Sequence, residues 1–120
     1  MKNNIEIEII KNFKSKILQN KRKIRVYLPP SYSTQNDKYY PVLYIHDGQN
    51  IFSAEESYSG ESWQLHQTAE YLIREEMIEE IIIVAVDNMG SERLSEYAHQ
   101  DGVFKGEKIK ARGLKYENFF

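Results

Sequence analysis

The chain has 120 residues, 41% of them hydrophobic and 28% charged, with a formal net charge of −2 and no cysteine. That length supports one small domain. The near-neutral balance supplies no general attraction to nucleic acid or an anionic membrane, and the lack of cysteine excludes a disulfide scaffold and any thiolate metal site.

The opening "MKNNIEIEII" does not read as a signal peptide, and no run approaches the ~18 consecutive apolar residues of a membrane span. A cytoplasmic protein is the default expectation. Residues 5–10, "IEIEII", alternate apolar and charged side chains at period two, the mark of a half-exposed strand. "KSKIL" continues it after a bend near Asn12, and Gln19 to Lys21 make a turn. "RKIRVYLPP" (22–30) alternates again, with Ile24, Val26 and Leu28 on one face and Arg25 and Tyr27 on the other, until Pro29 and Pro30 end it. These two strands are expected to form an antiparallel pair.

A polar loop, 31–38, leads into "YYPVLYIH" (39–46). This third strand is apolar on both faces and is expected to be covered on both sides. It ends in a polar run: His46, Asp47, Gly48, Gln49 and Asn50. After a loop to Glu61, the stripe Leu65, Ala69, Leu72, Ile73 and Met77 predicts a helix from about Trp63 to Glu76, with Ser62 as its N-cap. His66 lies off that stripe and reads as a surface residue. "IIIVAV" (81–86) is β-branched and continuously apolar, as in the middle of a parallel sheet with helices on both faces. The fold class is therefore α/β: an antiparallel strand pair followed by a parallel βαβ unit.

Beyond residue 87 the pattern weakens. Residues 98–114 read as a mobile surface loop whose lysines and arginines are solvated rather than a nucleic-acid patch. "KYENFF" (115–120) reads as the first turn of a helix, with Tyr116, Phe119 and Phe120 on an apolar face.

Ligands of open α/β sheets bind beyond the carboxyl ends of the parallel strands. Two polar segments leave such ends here, "HDGQN" after the third strand and "DNMG" after the fourth. A glycine lets the chain turn sharply, and amides in such a turn can converge on an oxyanion, with the backbone N–H groups of Gln49 and Asn50 best placed. A tight βα turn in which Asp47 and Asn50 tie down local backbone accounts for the same residues. His46, His66 and His99, with Asp47, Asp87 and Asp101, lack the spacing of a metal pair, so no metal is expected. A nucleophile elbow needs G-x-S-x-G after a strand. "GESWQ" (60–64) has Gly60 and Ser62 but Gln64 in place of the last glycine and no strand before it, so Ser62 reads as a helix cap.

"RKIRVYLPPSY", "YYPVLYIHDGQNIF", "ESWQL" and "IIIVAVDN", followed by Arg93, Glu96 and Tyr97, together resemble the putative-esterase family, the esterase D and enterochelin-esterase branch of the α/β-hydrolases. The likeness runs in order from about residue 20 to 97, and "KYENFF" is similar to the start of the family's next helix. The resemblance implies a serine hydrolase acting on small-molecule carboxylic esters without a cofactor. It implies that the loop after the third strand supplies part of the oxyanion hole, which maps to the backbone of Gln49 and Asn50. It also implies that His46, Asp47, Gly48, Asp87, Asn88, Arg93, Glu96 and Tyr97 bind substrate or brace that mouth. Ala98, His99 and Gln100 depart from the family, where a proline and an aromatic residue often follow the tyrosine.

The family's nucleophile, acid and histidine fall beyond residue 120. The chain is therefore expected to be the N-terminal portion of an α/β-hydrolase sheet, inactive alone. The strand that lies beside the third in the family is missing. That leaves an apolar edge, expected to be hidden by a homodimer or strand exchange. Two other readings stand beside this one: a truncated, non-catalytic hydrolase relative that binds or oligomerises, and a metal-dependent hydrolase using His46 and the aspartates.

Overall fold

A computed structural model describes residues 5–34 and 37–120. These form β1 (Glu6–Ser15), β2 (Asn20–Leu28), β3 (Val42–His46), α1 (Leu65–Arg74), β4 (Ile82–Val86), α2 (Arg93–Tyr97), β5 (Gly102–Phe104), β6 (Glu107–Ile109) and α3 (Gly113–Glu117). Short 3-10 turns occupy Gly48–Asn50 and Gly90–Glu92. β1, β2, β4 and β3 make a four-stranded sheet in that spatial order. β4 runs antiparallel to β2, with Ile24 opposite Val86, and parallel to β3, with His46 opposite Val86. The polar segments that follow β3 and β4 therefore leave the same end of the sheet.

The chain divides into two compact units: one from the chain up to Lys11 together with Lys23–Asp87, the other from Asn12–Arg22 together with Asn88–Phe120. In the first, the core is Tyr27, Ile51, Phe52, Ala69, Ile83 and Ala85. Ile83 and Ala85 are two residues apart, so they share one face of β4. Both are fully buried, and Ala69 of α1 joins them in the core. Each large side chain removed from water here contributes about 1.5–3 kcal/mol. Tyr27 is also fully buried, and its hydroxyl donates to Glu70 Oε1 of α1 at 2.6 Å.

Three expectations for the β3 and α1 segments change. β3 is not covered on both sides, because Val42, Leu43 and Tyr44 are 42–57% exposed. Among the described residues its strand neighbour is β4 alone. The apolar character of the strand calls for cover that these residues do not supply. The start of α1 also differs. Its N-cap is Gln64 in the left-handed region (φ 52°), and Ser62 Oγ instead accepts the Gln64 N–H at 3.2 Å. At the other end, Glu76 (φ 57°) turns the chain, and Met77 leaves the apolar stripe to stand 65% exposed.

The second unit is built on an ion pair. Arg22 Nη1 and Nη2 donate to Glu96 Oε1 and Oε2 at 3.0 and 2.6 Å, and neither side chain has any exposed surface. Asn20 Nδ2 donates to the same carboxylate at 3.0 Å. The Arg22 guanidinium lies 5.5 and 5.2 Å from the ring centres of Tyr116 and Phe119, a cation–π arrangement. "KYENFF", expected as the first turn of a helix, instead holds the end of α3, which begins at Gly113, and Tyr116, Phe119 and Phe120 are in mutual ring contact. Residues 98–114, expected as a loop, contain a hairpin in which β5 pairs with β6. Lys105 (φ 49°) and Gly106 (φ 82°) turn it, the positive angles that a two-residue hairpin turn requires.

Candidate active site

β3 ends at His46, and the chain reverses at once. Asp47 takes a left-handed conformation (φ 57°, ψ 51°) and caps the turn Gly48–Asn50. The Asn50 N–H donates to Asp47 O at 2.9 Å, and the Ile51 N–H to Gly48 O at 3.2 Å. Ile51 and Phe52 then enter the core, which fixes the turn from its far side.

Gly48 is needed for space. A Cβ there would stand 2.5 Å from Asp87 Oδ1 and 2.9 Å from both Ala85 O and Asp87 N. The turn after β3 is thus pressed onto the carboxyl end of β4. Only a residue without a side chain fits, since two of the three obstructing atoms belong to the backbone.

Asp87 is held on its other side. Its N–H donates to Lys23 O at 3.1 Å, and its two carboxylate oxygens accept from Arg25 Nε at 2.9 Å and Nη2 at 3.0 Å. This is the bidentate geometry for which guanidinium is suited. Arg25 is 3% exposed, and it also meets Glu56 through Nη1 at 2.9 Å and Nη2 at 3.0 Å. One buried cation therefore joins the end of β4 to the loop that follows the turn. Burial works against the charge on Arg25, but its hydrogen bonds to Asp87 and Glu56 outweigh that and hold its pKa above the ordinary value. The hydrogen bond from Arg25 draws Glu56 below the usual carboxylate range.

Asn50 follows the second of its two sequence readings, a residue that ties down local backbone. Its backbone N–H closes the turn on Asp47, so it is already in use. Its side-chain Oδ1 accepts the Tyr58 N–H at 3.0 Å, and its carbonyl accepts the Trp63 N–H at 2.9 Å. The Gln49 amide lies one residue earlier in the same turn. His46 is exposed, at the strand end beside Val86.

Asn88, Arg93, Glu96 and Tyr97 fall in the second unit. Asn88 Oδ1 accepts the Gly90 N–H at 2.9 Å, which sets up the turn Gly90–Glu92. The Arg93 guanidinium lies 5.0 Å from the centre of the Tyr97 ring, and Glu96 is the partner of Arg22. Asp87 and Glu96 are therefore braces in this structure, each held by a buried arginine.

Three contributors were missed. Arg25 shares a strand face with Tyr27, and that period-two placement beside a large aromatic residue was the available signal for burial. Glu56 carried no signal. His66 is half-buried rather than a surface residue, with its ring edge-on to Phe52 at 5.5 Å and its Nδ1 buried. Burial lowers its pKa. A depression of about 480 Å³ lies between Lys38, Ile73, Met77 and Glu80. Its lining residues from 38 and 78–80 precede β3 and β4, at the end of the parallel strands away from the turn. Among the described residues, no three acidic or histidine side chains are grouped to hold a metal ion, and no helix is long and apolar enough to cross a membrane.

The family described as putative esterase matches residues 15–119. None of the curated proteins compared matches the chain. Among solved structures, an IroE-like serine hydrolase from Shewanella oneidensis is similar at a TM-score of 0.73 and 20% identity, over 95% of this chain and 35% of that one. The BES protein from Bacillus cereus gives 0.64 and 19%, over 99% and 43%. A CE1 ferulic acid esterase from Anaeromyces mucronatus, in complex with ferulic acid, gives 0.55 and 26%, over 99% and 40%. The chain thus spans less than half the length of each of these structures. The mixed sheet with its crossover helix matches these neighbours as part of their α/β-hydrolase type of fold. With 15–119 matched, the chain belongs to the putative esterase family.

Proposed function

We propose that the chain contributes the oxyanion-binding turn of a serine ester hydrolase whose nucleophile, acid and histidine lie outside these 120 residues. The observation that carries this reading is the turn at 47–50, pressed onto Asp87 where two parallel strands end together. In the proposed reaction a serine hydroxyl oxygen bonds to the acyl carbon of a small-molecule ester while its proton passes to the histidine, which later returns it to the departing alcohol oxygen. The carbonyl π electrons move to oxygen, and the Gln49 N–H donates to the resulting oxyanion. Asp47, Gly48 and Asp87 fix where that amide points. His46 is proposed as a further residue of the mouth, and the family resemblance assigns Asn88, Arg93 and Tyr97 to substrate binding, in a cytoplasmic enzyme that needs no cofactor.

The test is hydrolysis of short nitrophenyl esters by the full gene product and by residues 1–120. Where a nucleophilic serine accompanies the chain, Gln49→Pro removes one amide and lowers kcat on the order of 10²–10³, as loss of one oxyanion donor does. An unchanged kcat overturns the reading. Residues 1–120 alone are expected to show no turnover. Turnover by them that Ser62→Ala abolishes would place the nucleophile in "GESWQ" and overturn it equally. The exposed apolar face of β3 favours a second reading, a non-catalytic module that associates through that strand.

A further inference from the structure

The turn Gly48–Asn50 rests against three atoms at the end of β4. From the place a Cβ on residue 48 would take, the Ala85 carbonyl oxygen and the Asp87 nitrogen are each 2.9 Å away, and Asp87 Oδ1 is 2.5 Å away. The first two belong to the backbone and cannot swing. Only the carboxylate oxygen can move, by rotation of the Asp87 side chain. Whatever holds that carboxylate therefore sets how the turn sits on the sheet.

Arg25 holds it. This residue stands opposite Ala85 in the ladder between β2 and β4, and its side chain is 3% exposed. Nε donates to Asp87 Oδ1 at 2.9 Å and Nη2 to Oδ2 at 3.0 Å, so both oxygens are tied and the carboxylate is kept from turning. The outer edge of the guanidinium meets Glu56, through Nη1 at 2.9 Å and Nη2 at 3.0 Å. Nη2 carries two hydrogens and serves both carboxylates at once. Lys23 Nζ adds a contact to Glu56 Oε2 at 3.4 Å, while the Lys23 carbonyl accepts the Asp87 N–H at 3.1 Å. Desolvation offsets much of what a buried ion pair adds to stability, so energy alone accounts poorly for so complete a fit. What the double fork supplies is a fixed place for Oδ1.

We infer that Arg25 is a positioning residue for ester hydrolysis: through Asp87 and Gly48 it sets the aim of the Gln49 amide. This rests on the reading of the turn given above. Gln49 follows Gly48 directly, so a shift of the carboxylate reaches its amide through one peptide unit. A displacement of about 1 Å in a group that meets the reacting atoms costs on the order of 10² in rate. Lysine keeps the charge of Arg25 but carries its donors on one nitrogen, and it cannot hold two oxygens in a plane. The loss in Arg25→Lys is therefore expected in kcat, which depends on where the oxyanion donor points, and not in KM.

Two measurements test this. In the full gene product, Arg25→Lys is expected to lower kcat for a short nitrophenyl ester at least about tenfold with KM within about twofold, at a temperature where its far-UV spectrum equals the parent's. In an Asp87→Asn background the same substitution costs less than about twofold, since the link to Gly48 is already cut. In isotope-labelled residues 1–120, Arg25→Lys shifts the amide resonances of Gly48 and Gln49. Where Gln49→Pro slows the reaction, a parental kcat in Arg25→Lys, or a loss confined to KM, overturns the role of Arg25. So do unmoved resonances at 48 and 49, or a full tenfold loss in the Asp87→Asn background. Should Arg25→Lys not fold, Asp87→Asn carries the test: it is expected to lower kcat by the same factor, and a parental kcat overturns the role. Resonances that move in Arg25→Lys while Gln49→Pro leaves hydrolysis unaltered overturn the oxyanion turn and keep the link from Arg25 to the turn.

Discussion

Gly48 and Asp87 are in contact across the ends of two neighbouring strands, with 2.5 Å between the carboxylate Oδ1 and the place a Cβ on residue 48 would take. The nearest atoms also include the carbonyl of Ala85 and the amide of Asp87, which cannot swing aside as a side chain can. Gly48→Ala is therefore expected to destabilise the fold by about 1–3 kcal/mol, the range for overpacking. A urea unfolding curve checks this, and a midpoint equal to that of the parent would show that the two strand ends are not in contact.

Arg25 is a buried cation between two carboxylates of unequal exposure: the Asp87 side chain is 10% exposed and that of Glu56 41%. Arg25→Met leaves Asp87 buried without its partner and is expected to cost about 3–5 kcal/mol. Glu56→Gln costs less than about 1 kcal/mol, because the lost charge lies at the surface. In a double-mutant cycle, Arg25→Met and Asp87→Asn show a coupling of at least about 1 kcal/mol. Additive losses would mean that the pair does not act as a unit.

Acid is expected to weaken the fold in two steps. Burial, only partly opposed by Glu70, holds His66 below its ordinary 6.5. The unfolded chain then takes up this proton first, so stability present above pH 6.5 is lost as pH falls through the folded value. Lower down, Glu56 and Glu80 lie below their ordinary 4.5. For Glu56 the main cause is the Arg25 hydrogen bond. For Glu80 burial works the other way, and the Ser31 N–H and hydroxyl overcome it. Their contribution is present above 4.5 and lost below it. Melting temperatures across pH 8 to about 3.5 check the profile, and His66→Phe is expected to remove the upper step alone. Both steps surviving in His66→Phe would assign the upper one elsewhere.

The exposed face of β3 predicts self-association. Val42, Leu43 and Tyr44 stand in water on a strand whose only strand neighbour among the described residues is β4. Such an edge is a template for pairing with another chain. Sedimentation of residues 1–120 is expected to show dimers at micromolar concentration, and Leu43→Lys to shift them to monomer. A monomer that stays monodisperse throughout removes the prediction.

Much of the architecture could be read from periodicity. The alternation in "IEIEII" and "RKIRVYL", the apolar run "IIIVAV" and the stripe through Leu65, Ala69 and Leu72 correspond to β1, β2, β4 and α1. What escaped was decided by partners distant in sequence. Arg25 is buried because Asp87, 62 residues away, receives it. Tyr27 is buried because Glu70 of α1 accepts its hydroxyl. The left-handed Gln64 displaced Ser62 as cap, and no propensity marks a glutamine for that conformation. The hairpin at Gly102–Ile109 has strands too short for alternation to show, and only Lys105–Gly106 hinted at its turn. Asn50 was legible as a tie for local backbone, but not as the anchor of both Tyr58 and Trp63.

The order of strands in the sheet also governs how this chain matures. β4 lies between β2 and β3 in space but follows both in the sequence. During synthesis, neither earlier strand meets that neighbour until residue 86 has left the ribosome. Contacts this distant along the chain form slowly, and their apolar surfaces wait unpaired in the meantime. β1 and β2 can zip together early, whereas β3 must remain solvated or be shielded by a chaperone. A ribosome paused anywhere before β4 would hold the nascent chain at its most aggregation-prone.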